Sequence, residues 1–106
     1  MSKIVLNFEN QDYELEFNRQ SVKMMESQGF VLDEITSKPM TMIPLLFSGA
    51  FIKNCKGVKR NTIDKIFDGI ADKTGLMQAL MEMYAETLST LTDGVGEGNV
   101  SWTLVK

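Results

Sequence analysis

Few residues in this 106-residue chain have the types and spacing that do chemistry. Cys55 is the single cysteine and histidine is absent, so an intrachain disulfide is impossible and the common zinc sites lack their ligands. The missing histidine also removes the usual general base at neutral pH. No motif sets Cys55 or a serine beside a substitute base. A catalytic centre, a metal and a cofactor are therefore not expected, and only carboxylate or lysine chemistry stays open. Gly94, Gly96 and Gly98 have the look of a phosphate-binding loop, but such a loop must lead into a helix whose N-terminus faces the phosphate, and only eight residues follow. A linker is the expectation there.

Lys53, Lys56, Lys59 and Arg60 form a basic cluster around Gly57. They lie at the end of an apolar helical stretch, where cations complement the negative helix terminus, so a structural role accounts for them. The net charge is −3 and the pI about 4.9, which gives no general attraction to phosphate backbones or anionic membranes. A helix-turn-helix can be drawn through the middle of the chain. Its helix near Asn61 would carry Asp64, Asp68 and Asp72, a poor face for a phosphate groove. Nucleic acid is disfavoured as a partner.

Methionine is the compositional oddity, with eight in the chain. Met24, Met25, Met40, Met42, Met77, Met81 and Met83 lie in or beside expected helices. Methionine fills irregular gaps in cores and also suits surfaces that accept varied partners. Core packing explains most of them. Met77 and Met81 flank the main apolar stripe of the last helix and are the candidates for an adaptable groove.

The elements that position these residues follow from periodicity. Ile4, Leu6 and Phe8, then Tyr13, Leu15 and Phe17, alternate with polar neighbours, and Glu9, Asn10, Gln11 and Asp12 separate the two runs. The pattern predicts a half-buried β-hairpin with a polar four-residue connection. Asn18 is the expected N-cap of a helix over residues 19–28, stopped by Gly29 in the left-handed conformation with Phe30 packing back onto Met25. Phe30, Leu32 and Ile35 suggest one short helical turn before Pro39 breaks the chain. A helix apolar on all sides is expected from Thr41, with Pro44 in its first turn, as the centre of the core.

Ile63, Ile66, Phe67 and Ile70 recur at helical spacing behind Asn61 as cap, and Leu76, Leu80, Met83, Tyr84, Thr87 and Leu91 form a second stripe, on a helix from near Thr74 to before Gly94. Residues 95–99 read as a mobile glycine-rich linker, and Val100, Trp102 and Leu104 alternate as in a short strand. That strand could cover the hairpin edge of its own molecule, or pair with a neighbouring subunit or client. The expected fold is α+β and mainly helical, a hairpin followed by four or five short helices and a candidate terminal strand. Residues 1–93 form one domain and residues 94–106 a linker with that strand. Composition is ordinary for a globular chain, 43% hydrophobic and 24% charged. The N-terminus lacks the apolar run of a signal peptide, and the most hydrophobic window, residues 42–52, falls short of the roughly 20 residues a membrane span needs. A soluble cytoplasmic protein is the expectation.

Residues 4–30, IVLNFENQDYELEFNRQSVKMMESQGF, resemble the opening of the tail assembly chaperones of long-tailed phages. Those proteins are small and acidic and commonly begin with a strand pair holding a short polar turn, like NFENQDYELEF here. They continue into a helix of the type NRQSVKMMESQGF and then a cluster of small helices. The resemblance implies binding to the tape measure protein, a long aggregation-prone helical polypeptide kept soluble while tail tube subunits assemble around it. It also implies action in the host cell cytoplasm, absence from the finished virion, no enzymatic activity and self-association along the client. The glycine-rich connector and the tryptophan-bearing terminus need not be family features.

On this reading the helical face around Leu76, Met77, Leu80, Met81 and Tyr84 is the candidate client-binding surface, with Trp102 as a further candidate on the terminal strand. Burying each large apolar side chain contributes on the order of 1.5–3 kcal/mol, so a few contacts per subunit repeated along a long client give avidity. A connector or tube-associated phage protein is the alternative, and would copurify with virions. A small DNA-binding regulator acting through Lys56, Lys59 and Arg60 is the other.

Overall fold

A computed structural model of the chain describes residues 2–91 and 100–106. The fold is α+β and mainly helical, an antiparallel hairpin followed by four α-helices. Strand β1 (Ile4–Phe8) pairs with β2 (Gln11–Leu15) in the register Ile4 to Leu15, Leu6 to Tyr13 and Phe8 to Gln11. The connection is tighter than the polar run suggests. Gln11 and Asp12 belong to β2, and Glu9 and Asn10 alone make the turn, with φ of 51° and 65°. Two successive positive φ values are the requirement of the type I′ turn, whose twist matches that of the strands it joins. Tyr13 and Leu15 are buried, and Ile4, Leu6 and Phe8 are half-buried on the same face, as period two requires.

Helix α1 (Arg19–Ser27) starts at Asn18, as expected. The Asn18 side chain accepts from the Ser21 amide at 2.7 Å, and the Asn18 amide donates to Ser21 Oγ at 2.9 Å. This reciprocal capping box satisfies two amides that the first turn leaves free. At the other end Gly29 has φ of 96°. The Phe30 amide reaches back to the Met25 carbonyl and the Gly29 amide to the Glu26 carbonyl, both at 3.0 Å. That pair of bonds is the Schellman arrangement, and Phe30 enters the core beside Met25. A single 3₁₀ turn, Leu32–Glu34, follows.

Helix α2 (Pro39–Gly49) corrects two expectations. The chain breaks before Pro39 as expected, but α2 begins at Pro39 itself and not at Thr41, because the missing proline amide falls where the first turn has no partner for one. Pro44 therefore lies beyond the first turn, and it leaves the Met40 carbonyl without the usual i+4 donor. Met40 is 89% exposed, so water can serve that carbonyl. Helix α3 (Arg60–Asp68) starts one residue before Asn61, which lies inside the first turn and is not the cap. Helix α4 (Lys73–Ser89) is capped by Asp72, whose carboxylate accepts from the Gly75 amide at 3.0 Å. It ends before Leu91, which is exposed because the helical stripe stops short of it. Arg19 closes that end, its guanidinium donating to the Thr90 hydroxyl at 3.0 Å and to the Thr90 carbonyl, a cation at the negative terminus of a helix.

The core is one cluster from Tyr13 to Tyr84, contributed by the hairpin and by all four helices. Phe47 stacks edge-on against Phe51 and Phe67, which ties α2 to α3, and Tyr84 against Phe17 and Phe30, which ties α4 to the segments flanking α1. Burial pushes the Tyr84 phenol above its ordinary value of 10.0, with the Glu26 charge adding to the shift. Helices α1 and α2 meet where Met25 lies over Gly49. A Cβ at Gly49 would come within 2.3 Å of Met25 Sδ and 2.6 Å of its Cγ. Met25 is fully buried and has no free direction to move. Gly49→Ala is expected to destabilise the protein by about 1–3 kcal/mol in a urea titration. A gain in stability, the usual result of filling a helical glycine, would show that the approach is loose.

The outer edge of β2 is fastened to the segment after α2. Glu16 donates its amide to the Ala50 carbonyl at 3.1 Å, and its carboxylate receives Lys53 at 2.7 Å and Asn54 at 3.0 Å. Those bonds from Lys53 and then Asn54 hold the Glu16 carboxyl below its ordinary value of 4.5. A folded value below the unfolded one means that the contribution is present at neutral pH and is lost as pH falls through the folded value. The urea midpoints of the protein and of Glu16→Gln are expected to differ at neutral pH and to converge as pH drops below 4.5. Midpoints that stay apart at low pH would assign the difference to packing instead of charge.

The terminal strand is not formed. Residues 100–106 have no strand partner, and Val100, Trp102, Leu104 and Val105 are all exposed. Among the described residues the sheet has two strands, because alternation alone does not make a strand without an edge to pair with. The glycine run from Gly94 to Gly98 lies outside the described residues.

Candidate functional site: an apolar groove between three helices

A groove of about 780 Å³ opens between α2, α3 and α4. Its lining starts from the sequence of each helix. Helix α2 is apolar on every side and exceeds what the core can cover, so Pro39, Met40, Ile43 and Pro44 remain on the groove side while Met42 and Leu46 pack inward. Helix α3 turns Ile63 and Phe67 toward it, and α4 supplies Met77 and Met81 from successive turns of one face. Phe47 forms the floor, buried to 1% and stacked on Phe67.

The rim is polar. Asp64 and Asp68 stand on the α3 side, and Thr74 and Gln78 on the α4 side. Lys73 bridges the two helices. Its ammonium lies 5.6 Å from the Phe67 ring centroid and donates to the Ile70 carbonyl at 2.9 Å, so it closes the C-terminal end of α3. An apolar trough with methionine walls and a charged rim can take up an amphipathic helix, apolar face inward, by the helix-in-groove mode of recognition.

The structure separates the six candidate residues. Met77 and Met81 line the groove and are half-buried. Leu80 and Tyr84 do not, being 0% and 3% exposed in the core, and cannot touch a client in the folded protein. The sequence stripe had assigned them to the binding face because a helix wheel marks the apolar side without showing which part of it faces α1 and α2. Leu76 is half-buried against the core and is not part of the groove wall. Trp102 is 85% exposed on the terminal segment, away from the other five in sequence and unpacked. The α2 wall of the groove, Pro39, Met40, Ile43 and Pro44, is not among the candidate residues. Its signal in the sequence was a helix more apolar than a core of this size needs.

The basic cluster is largely committed. Lys53 pairs with Glu16, and Arg60 approaches Asp64 at 3.9 Å and Ser48 Oγ at 3.4 Å. Lys56 and Lys59 border a smaller, polar depression beside Tyr13 and Cys55. Cys55 is half-buried, its thiol 3.6 Å from the Glu14 carbonyl. Among the described residues no group of three or more Cys, Asp or Glu side chains is placed to hold a metal ion, and no helix is long and apolar enough to cross a membrane.

Comparison with curated proteins and with solved structures returned no match. One family, described as Domain of unknown function (DUF5055), matches residues 1–105. With nearly every residue from the hairpin to the exposed terminus inside that match, the chain belongs to this family.

Proposed function

We propose that this protein is a phage tail assembly chaperone that binds helical segments of the tape measure protein, keeps it soluble and helps recruit tail tube subunits. The observation that carries the proposal is the groove of α2, α3 and α4, where Met77 and Met81 face Pro39, Met40, Ile43 and Pro44 across an open apolar trough. Methionine walls adapt to clients whose sequence varies along their length, which a single chaperone repeated on one long polypeptide must tolerate. Asp64 and Asp68 on the rim favour clients whose apolar stripe is flanked by Lys or Arg. The likeness of residues 4–30 to the tail assembly chaperones supplies the identity of the client.

The test is coexpression with the tape measure protein of the same phage, followed by affinity purification and light-scattering mass, with each protein alone as control. Several copies of this chain on a soluble client is the expected result. An insoluble client with this protein recovered alone overturns the proposal, and recovery of the chain in purified virions points to a structural role instead.

A further inference from the structure

The two edges of the hairpin differ. A two-residue turn makes Phe8 and Gln11 a hydrogen-bonded pair, and such pairs alternate along the ladder. The backbone groups of Ile4, Leu6 and Phe8 therefore face β2, and those of Val5 and Asn7 face away. On the β2 side the end of the outer edge is taken, the Glu14 carbonyl by Asn54 at 3.4 Å and, just past the strand, the Glu16 amide by the Ala50 carbonyl. On β1 the backbone groups of Val5 and Asn7 have no backbone partner among the described residues. The apolar face is unfinished on the same side, because Ile4, Leu6 and Phe8 are only half-buried where Tyr13 and Leu15 are buried.

The terminal segment of the same chain has the complementary pattern. Val100, Trp102 and Leu104, exposed to 87%, 85% and 70%, alternate with Ser101 and Thr103. Laid antiparallel along β1 with Trp102 opposite Leu6, the three apolar side chains fall beside Phe8, Leu6 and Ile4. Ser101 and Thr103 then bring their backbone groups to Asn7 and Val5. We propose that residues 100–105 of one copy add as a third strand to the free β1 edge of a second copy. Each copy then offers one donor and one acceptor, so association closes as a reciprocal pair or a ring, or continues head to tail. This reading concerns the protein by itself and stands whether or not the groove binds a client.

Two proline variants test it in the full chain. Val5→Pro removes the amide that faces the open edge and leaves the ladder to β2 untouched, and Thr103→Pro removes the matching amide of the donor. The protein alone is expected to show a light-scattering mass that rises with concentration above 11.9 kDa, while the emission of Trp102, the only tryptophan, shifts to the blue. Each variant alone is expected to stay at 11.9 kDa, and an equimolar mixture to reach twice that mass and no more. Asn7→Pro, with its amide also outward, replaces Val5→Pro if circular dichroism shows that the latter does not fold. A protein that stays at 11.9 kDa at all concentrations overturns the proposal, and blue-shifted emission at that mass assigns the segment to its own hairpin. A mixture that gains no mass overturns it equally.

Discussion

Replacing Met77 and Met81 together by Glu is expected to weaken binding of a tape measure segment by at least about a hundredfold, with the circular dichroism spectrum unchanged. Each side chain buried against a client helix is worth about 1.5–3 kcal/mol, so losing both removes about 3–6 kcal/mol, or two to four powers of ten. The fold should tolerate the change because both side chains lie at the outer margin of the core and have the groove to turn into. Two Glu residues one turn apart on α4 repel by only about 0.2–0.5 kcal/mol. Calorimetric titration of a soluble client fragment measures the effect. Undiminished affinity in the folded variant would remove the groove as the client site, and loss of helical signal would place both methionines in the core.

Leu80→Ala is expected to do the reverse. Leu80 sits between those two methionines in sequence but is fully buried, and deleting a buried leucine side chain costs about 2–5 kcal/mol. Against a total of about 5–15 kcal/mol for a domain, that is a large part of its stability. The melting temperature should fall by roughly 8 °C or more. The fraction that remains folded should bind the client fragment as before. Urea and thermal titrations of Leu80→Ala beside the double methionine variant separate core from groove on one helix. A cost below about 1 kcal/mol would mean that Leu80 is not packed as the structure places it.

Local signals along the chain were strong wherever one residue type satisfies a backbone requirement. Asn18 with Ser21, Gly29 with Phe30, and the alternation of Tyr13, Leu15 and Phe17 each specify a conformation within a few residues, and each is realised. The errors also have local causes. Pro39 ends the preceding turn, as its restriction on Lys38 requires, but it also opens α2 two residues before Thr41, since proline suits the first helical position. Asn61 has a capping side chain but lies two residues beyond the cap position, which Lys59 fills without any side-chain bond.

By itself the sequence determined the hairpin, the order of the main helices, the absence of histidine chemistry and the two methionines of the groove, because periodicity, capping and composition are properties of neighbouring residues. Only the tertiary structure decided which apolar residues are core and which are surface. Leu80 and Tyr84 went inward because α1 and α2 cover that side of α4, and Pro39, Met40, Ile43 and Pro44 stayed outward on the groove that α2, α3 and α4 leave open. The same holds for the terminal segment. Val100, Trp102 and Leu104 carry the alternation of a strand, but a strand exists only where another edge supplies its hydrogen bonds, and within one copy that edge is left unpaired.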